Sequence, residues 1–178
     1  GLVTINGSAF KGCTSLTEVS IPSTVTTMGS NAFSGCTGLT TANLNEGLKK
    51  ISSYAFSGCT ALENIQLPDS VTTLGYYILK DCTKITEINY PVSLTQCEVT
   101  SSSYGPSGGS GIKTVTIPEG LTKIVANTFS KCTSLESVIL PDSVTSIGVC
   151  AFCYCTGLKG IEIPAGVTII EEDIFLGC

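Results

Sequence analysis

The sequence predicts a repeat solenoid, a right-handed coil with a parallel sheet of short strands and about seven repeats, each of roughly 23 residues. The motif Ala-Phe-x-Gly-Cys-Thr-x-Leu occurs at residues 9–16, 32–39 and 55–62, so successive copies are evenly spaced. Phenylalanine and cysteine return at fixed places within that period, and short alternating apolar segments do so too. Because one unit is too small to bury its own apolar face, each must stack on its neighbours.

Each predicted coil contains two extended pieces and one tight turn. Alternating β-branched residues, as in Val19-Ser20-Ile21, indicate a short strand with one buried face. A proline usually follows and ends the strand, because it has no amide donor. The V-T-x-I stretch predicts a second extended piece on another side of the coil. The Ala-Phe segment predicts a short helical or 3₁₀ turn, which the chain leaves at a glycine such as Gly35 or Gly58.

The two most regular columns of the repeat predict a core. A phenylalanine column is interpreted as a buried aromatic ladder, with Leu79 and Pro106 in the two places that lack phenylalanine. Its members are Phe10, Phe33, Phe56, Phe129, Phe152 and Phe175. The matching thiols should lie roughly 5 Å apart on parallel Cβ vectors, which favours free, buried cysteines over disulfides. They are Cys13, Cys36, Cys59, Cys82, Cys132, Cys155 and Cys178, and Cys97 is predicted to be buried as well.

Cys150 and Cys153 form a C-x-x-C pair outside this column. They take positions held elsewhere by residues such as Asn31 and Ser34, and are therefore expected to be exposed. A local disulfide, half of a metal site and drift at exposed positions all remain open. Zinc is the least favoured, since the chain has no histidine and no second C-x-x-C pair.

Composition excludes several classes of function. The formal charge is -5 and all 9 basic residues are lysine, so the bidentate guanidinium groups typical of nucleic-acid recognition are missing. Without histidine, neither a Ser-His-Asp nor a Cys-His arrangement can form, which predicts a protein that is not an enzyme and uses no cofactor. No apolar run approaches the roughly 20 residues of a membrane span.

The whole chain, residues 1–178, is predicted to be one continuous solenoid. It opens and closes in the middle of a repeat, so we expect it to be an excerpt of a longer protein. The step from Ile78 to the next copy at Gly105 is longer than the step from Ala55 to Ile78, which predicts an irregular insertion at residues 98–111. Such insertions are either tolerated bulges or functional loops.

The runs IPSTVTTMGSNAFSGCTGLTTANL and LPDSVTSIGVCAFCYCTGLKGIEIP resemble the BspA-type leucine-rich repeat. This resemblance covers the chain apart from residues 98–111. It implies a surface protein of a host-associated microbe, located extracellularly or at the cell surface, and a non-enzymatic role in adhesion or protein binding. The partner would be a protein, such as a host matrix or cell-surface protein. The family supplies no catalytic or binding motif to transfer onto these residues.

A partner-binding surface is predicted where strand residues point outward between the buried ones. The candidate residues are Asn64, Gln66, Glu87 and Asn89, which are amide or long side chains on two adjacent central coils beside the insertion. The alternatives are a merely solvated face and a structural spacer or stalk that presents another domain. Open apolar ends also predict end-to-end self-association.

Acidic residues follow proline in several turns. Glu46 and Asp69 fall on neighbouring coils, as do Glu119 and Asp142, so each pair could hold calcium weakly. Ordinary turn chemistry accounts for the same pattern and is favoured.

Overall fold

The computed structural model describes residues 1–98 and 105–178. Each coil in these residues contributes one or two very short strands, and every pairing between coils is parallel. The strands are β1 (Thr4–Ile5), β2 (Glu18–Ser20), β3 (Thr27–Met28), β4 (Thr41–Asn43), β5 (Lys50–Ile51), β6 (Asn64–Ile65), β7 (Thr73–Leu74), β8 (Glu87–Asn89), β9 (Gln96–Cys97), β10 (Thr114–Thr116), β11 (Lys123–Ile124), β12 (Ser137–Ile139), β13 (Ser146–Ile147) and β14 (Gly160–Ile161).

The strands lie in two rows. The even-numbered strands form the front row, in the sheets β2-β4-β6 and β8-β10-β12-β14. The odd-numbered strands form the side row, in the sheets β1-β3-β5-β7-β9 and β11-β13. Paired residues hold the same place in successive repeats, as in Val19 with Ala42, and Glu87 pairs with Thr114 across the longer repeat. The predicted parallel solenoid of about seven coils is therefore confirmed.

Alternation within the strands determines which side chains enter the core. In β10, Val115 is buried between two exposed threonines, and Val138 has the same place in β12. The proline after a front-row strand turns the chain: the Val25 amide donates to the Pro22 carbonyl oxygen at 3.0 Å, and Val71 donates to Pro68 at the same distance. This turn leads the chain from the front row into the side row.

The Ala-Phe segments are successive tight turns, so the helical or 3₁₀ prediction for them was wrong. Each contains two residues with left-handed backbone, such as Asn31 at φ 58° and Gly35 at φ 73°, and these conformations interrupt a right-handed helix. The amides bond to the next coil: Phe33 donates to the Ala55 carbonyl at 2.8 Å. This third side of the solenoid, the turn side, is therefore also a hydrogen-bonded ladder between coils.

The aromatic ladder is confirmed. The Phe33 and Phe56 rings are stacked 5.4 Å apart at 7°, and both residues are fully buried. Phe129 and Phe152 repeat this arrangement at 5.4 Å in the second half of the chain. The rings of the two terminal coils are less enclosed, since Phe10 is 40% exposed and Phe175 is half-buried.

The column cysteines form a second ladder beside the rings. None of the ten cysteines forms a disulfide, and the column members between the terminal coils are buried. The Cys59 thiol donates to the Phe33 carbonyl at 3.2 Å, and Cys82 donates to Phe56 at 3.1 Å. Cys36 and Cys155 make the same bond to a phenylalanine carbonyl of the preceding coil, so these thiols add a side-chain link between coils.

Cys150 and Cys153 are buried, so the prediction that they are exposed was wrong. Cys153 is fully enclosed, with its sulfur 3.1 Å from the Ser130 hydroxyl oxygen, and Cys150 is 6% exposed. Ser34, which holds the same position in an earlier coil, is itself only half exposed. A thiol is small and apolar enough to be buried at this position. Neither cysteine forms a disulfide.

Both strand rows are interrupted at the fourth coil, where the repeat lengthens. Along the side row, amides such as Gly75 donate to a strand carbonyl of the coil before. The amide of Val125 donates instead to the hydroxyl oxygen of Tyr90, at 2.9 Å. Tyr90 is almost fully buried and its ring lies 6.2 Å from Phe129, so its hydroxyl replaces a missing backbone acceptor.

The predicted insertion at residues 98–111 falls partly outside the described residues, which omit 99–104. On one side, Glu98 forms a 2.7 Å ion pair with Lys50, two coils away. On the other side, Pro106 and Ser107 are buried and the Tyr77 amide donates to the Gly105 carbonyl at 3.0 Å. Residues 105–111 therefore take part in the turn-side ladder.

Substituting Tyr90 with phenylalanine is expected to destabilise the solenoid by about 1–3 kcal/mol, because the buried Val125 amide loses its acceptor. The aromatic ring and its packing are retained, so the change isolates the hydroxyl. Urea unfolding gives the stability, and amide hydrogen exchange at Val125 should accelerate. Unchanged exchange at Val125 would show that the Tyr90 hydroxyl does not support this break in the side row.

Candidate protein-binding surface

The front row carries a continuous set of outward side chains. In every three-residue strand of this row the middle residue points into the solenoid, so the first and third residues point away from it. Asn64 and Glu87 begin β6 and β8 and are exposed, and Gln66 directly follows β6 and is exposed. Three of the four candidate residues are therefore available to a partner.

Asn89 has a different role from the other three candidates. Its side-chain oxygen accepts a 2.9 Å hydrogen bond from the Leu67 amide, and its side-chain nitrogen donates to the Leu67 carbonyl at 2.7 Å. The carboxamide thus makes the two hydrogen bonds that a backbone peptide group would make between β6 and β8. This is the point where the front row divides into two sheets. Because its side chain is half buried and makes two hydrogen bonds within the stack, Asn89 is less accessible to a partner than the other three residues.

Ion pairs lie just ahead of the front-row strands. Glu63 and Lys84 are 3.1 Å apart, and Glu136 lies between Lys159 at 2.7 Å and Lys113 at 3.5 Å. Hydrogen bonding and attraction to Lys159, with a smaller effect of Lys113, hold the pKa of Glu136 below its usual value. The lysines in these exposed pairs therefore lie where the front-row strands begin and away from where these strands end.

A cluster of tyrosines on the turn side was missed by the sequence analysis. Tyr54 lies 5.3 Å from Tyr76 and 5.6 Å from Tyr77, measured between ring centres, and the Lys80 ammonium is 5.6 Å from the Tyr77 ring. Tyr54 and Tyr77 have left-handed backbone, which is costly for a bulky residue. The available signal was their position in the column of Asn31, a residue type that tolerates this conformation.

The sequence matches the family described as BspA type Leucine rich repeat region, in 6 copies over residues 1–105 and 107–178. The chain belongs to this family. The BspA-type repeat here has a definite structural form. Its strands lie in parallel rows, paired strands are offset by one repeat, and its phenylalanine and cysteine side chains form ladders.

Two solved structures are similar to this BspA-type chain. A leucine-rich repeat protein of T. pallidum is 31% identical, with a TM-score of 0.69 over 89% of this chain and 72% of its own. A leucine rich cell surface protein of Faecalibacterium prausnitzii A2-165 is 32% identical, with a TM-score of 0.50 over 97% of this chain. The present chain spans 48% of that second chain. No curated protein sequence matches it.

Membership in the BspA-type family makes this chain a repeat scaffold, an architecture whose long regular faces suit contacts with other proteins.

In residues 1–98 and 105–178 no three His, Cys, Asp or Glu side chains are grouped to hold a metal ion. Of the acidic turn residues, Asp69 accepts a 3.4 Å hydrogen bond from the Val92 amide on the next coil, so its carboxylate helps to join two coils. The same described residues contain no helix with the length and apolar character needed to cross a bilayer.

Proposed function

We propose that this chain is a non-enzymatic scaffold of the bacterial cell surface or extracellular space that binds a protein partner through its front row. The observation that carries this proposal is the exposure of Asn64, Gln66 and Glu87 on adjacent strands of a rigid parallel stack. Rigid strands hold these side chains in a fixed pattern, so a partner that fits them loses little conformational entropy of the scaffold on binding.

Adhesion to a host is the more specific form of this proposal. A surface protein of a host-associated microbe meets matrix and host cell-surface proteins, and these are the first partners to screen. The relative from Faecalibacterium prausnitzii is described as a cell surface protein, which supports the location. Without any such binding, the chain would serve as a spacer that holds another domain away from the cell.

Replacing Gln66 and Glu87 together with alanine is expected to weaken binding to a matrix or cell-surface partner by about tenfold, which corresponds to about 1.4 kcal/mol. Both side chains are exposed, so the unfolding midpoint should not move. Surface plasmon resonance against immobilised fibronectin, fibrinogen, laminin and collagen measures the effect.

The matched control replaces Ser20 and Thr114 with alanine, because these residues hold the same two outward positions on other front-row strands. The control should bind like the parent chain. Equal loss of affinity in both variants would place the contact elsewhere, and no binding of the parent to any of these proteins would favour the spacer.

We also propose that the solenoid associates end to end. Leu2, Val3 and Phe10 are exposed on the first coil, and Ile169, Ile170 and Leu176 on the last. The edge strands β1 and β14 leave backbone groups unpaired at the same ends. Sedimentation velocity over a concentration series should show elongated oligomers that Ile170→Lys removes, while a monomer at every concentration would contradict the association.

A further inference from the structure

One outward position of the front row departs from the polar pattern. Ile139 ends β12 with its side chain 81% exposed, the highest exposure of any large apolar residue in the described chain. The same position is held by Ser20, Asn43 and Thr116 on other strands, all of which are polar. A single exposed aliphatic residue is common on protein surfaces, so the significance of Ile139 depends on the surface next to it.

A groove of about 350 Å³ begins at Leu140, the residue after Ile139, where the chain turns after the strand. Its lining is mostly polar and includes the carboxylates of Asp142 and Glu162, while Leu140, Ile163, Pro164 and Ala165 contribute the apolar part. Glu162 is one coil further along from Ile139, at the same place in the repeat. Asp142 and Glu162 are both exposed, so a ligand can reach them.

The charges near this groove are one-sided. Lys113 and Lys159, the lysines of the neighbouring front-row coils, pair with Glu136 ahead of the strands. A second groove, of about 360 Å³, occurs at the corresponding turn two coils earlier, where Val92 and Glu119 line it. Apolar surface next to carboxylate therefore recurs along the turns after the front row.

We propose that Ile139 and the groove beside it dock an extended segment of a partner protein that carries a lysine or arginine two positions from an aliphatic residue, so that both side chains face the solenoid. The aliphatic residue covers Ile139. The long basic side chain lies along the apolar part of the groove and places its charged end at Asp142 and Glu162, since such side chains combine an apolar stem with a cationic head. This complementarity of charge and apolar surface is what identifies the occupant.

The second groove predicts how far the segment extends. Coils are spaced by roughly 4.8 Å, so the two grooves are roughly 10 Å apart along the solenoid. In an extended chain alternate side chains face the same side about 6.6 Å apart, so two basic residues two positions apart, each on a long flexible stem, reach both grooves. This site is distinct from Gln66 and Glu87, so it stands or fails separately from the proposed function.

The test selects ligands from a phage-displayed library of random dodecapeptides on the immobilised chain. We expect enrichment of lysine or arginine two positions from valine, isoleucine or leucine, with basic residues two apart in the tightest binders. Selection of acidic or neutral peptides, or of none, would overturn the proposal.

Affinities of selected peptides, measured by fluorescence anisotropy, then locate the contact. Asp142→Asn with Glu162→Gln should weaken binding by about tenfold or more, and so should Ile139→Thr, which keeps a β-branched residue in the strand. The matched control is Glu46→Gln with Glu18→Gln, which removes two exposed carboxylates from other coils and should change affinity less than about twofold.

Equal losses in the control and in the groove variants would mean that only net charge matters, and would overturn the site. Thermal unfolding at an unchanged midpoint checks that each variant is folded. Self-association that Ile139→Thr abolishes would show that a second copy of this chain occupies the surface, which also contradicts a basic partner segment.

Discussion

Replacing Phe56 with alanine is expected to lower the free energy of unfolding by about 3–5 kcal/mol. Phe56 is fully buried, its ring stacks on Phe33 at 5.4 Å, and its carbonyl oxygen accepts a hydrogen bond from the thiol of Cys82. The neighbouring coils are tied together on three sides by hydrogen bonds, so they cannot close around the lost ring. The cavity therefore persists, and its cost adds to the lost burial of the ring.

Glu87→Ala is the control for this prediction. Glu87 is exposed at the start of β8, so its loss should change the free energy of unfolding by less than about 0.5 kcal/mol. Urea unfolding followed by circular dichroism measures both variants under the same conditions. Equal shifts in the unfolding midpoint would mean that the inward and outward positions of the repeat have been assigned wrongly.

The sequence predicted the stack because the period and the inward columns share one physical cause. A residue that recurs once in every period meets its own copy in the next coil, so a column of Phe or Cys can only form a ladder. The Phe33 and Phe56 rings and the Cys59 thiol behave in this way. The second row of strands followed from the V-T-x-I stretch by the same reasoning.

Details that depend on one coil could not be predicted from columns. Asn89 occupies an outward position, but the front row divides there and its carboxamide bridges to Leu67. Tyr90 falls in the place of Ile21, and its hydroxyl acts far along the chain on Val125. Both effects arise where the step between repeats lengthens after Ile78. The pattern shared by the other coils therefore could not predict them.

The candidate surface was predictable in position but not in content. Alternation along the strands identified Gln66 and Glu87 as outward, and the structure leaves them exposed. The same alternation places Ile139 outward, yet only its exposure in the structure, next to a groove, distinguishes it from the surrounding polar residues. Shape between coils depends on side-chain packing across a turn, which periodicity does not describe.

Raising the pH from 9 toward 12 is expected to destabilise the solenoid through its buried thiols. Burial raises the pKa of Cys82, Cys97 and Cys155 from 9.0 to about 12. Their stabilising effect is complete below the unfolded pKa, where both states are protonated. Above it the unfolded chain ionises first, so stability falls until the pH passes the folded pKa, by about 1.4 kcal/mol per thiol per pH unit.

Urea unfolding at pH 8, 9, 10 and 11 in the presence of a phosphine reductant measures this loss. The Cys82→Ala variant is the internal control, since it should lose stability less steeply with pH by the contribution of one thiol, whatever its stability at pH 8. Tyr90, whose pKa burial raises to about 12, adds a further decline above pH 10 that both proteins share. A flat profile between pH 9 and 11, or equal slopes for the two proteins, would mean that the thiols ionise as readily in the folded stack as in the unfolded chain, and the Cys ladder would then be open to solvent.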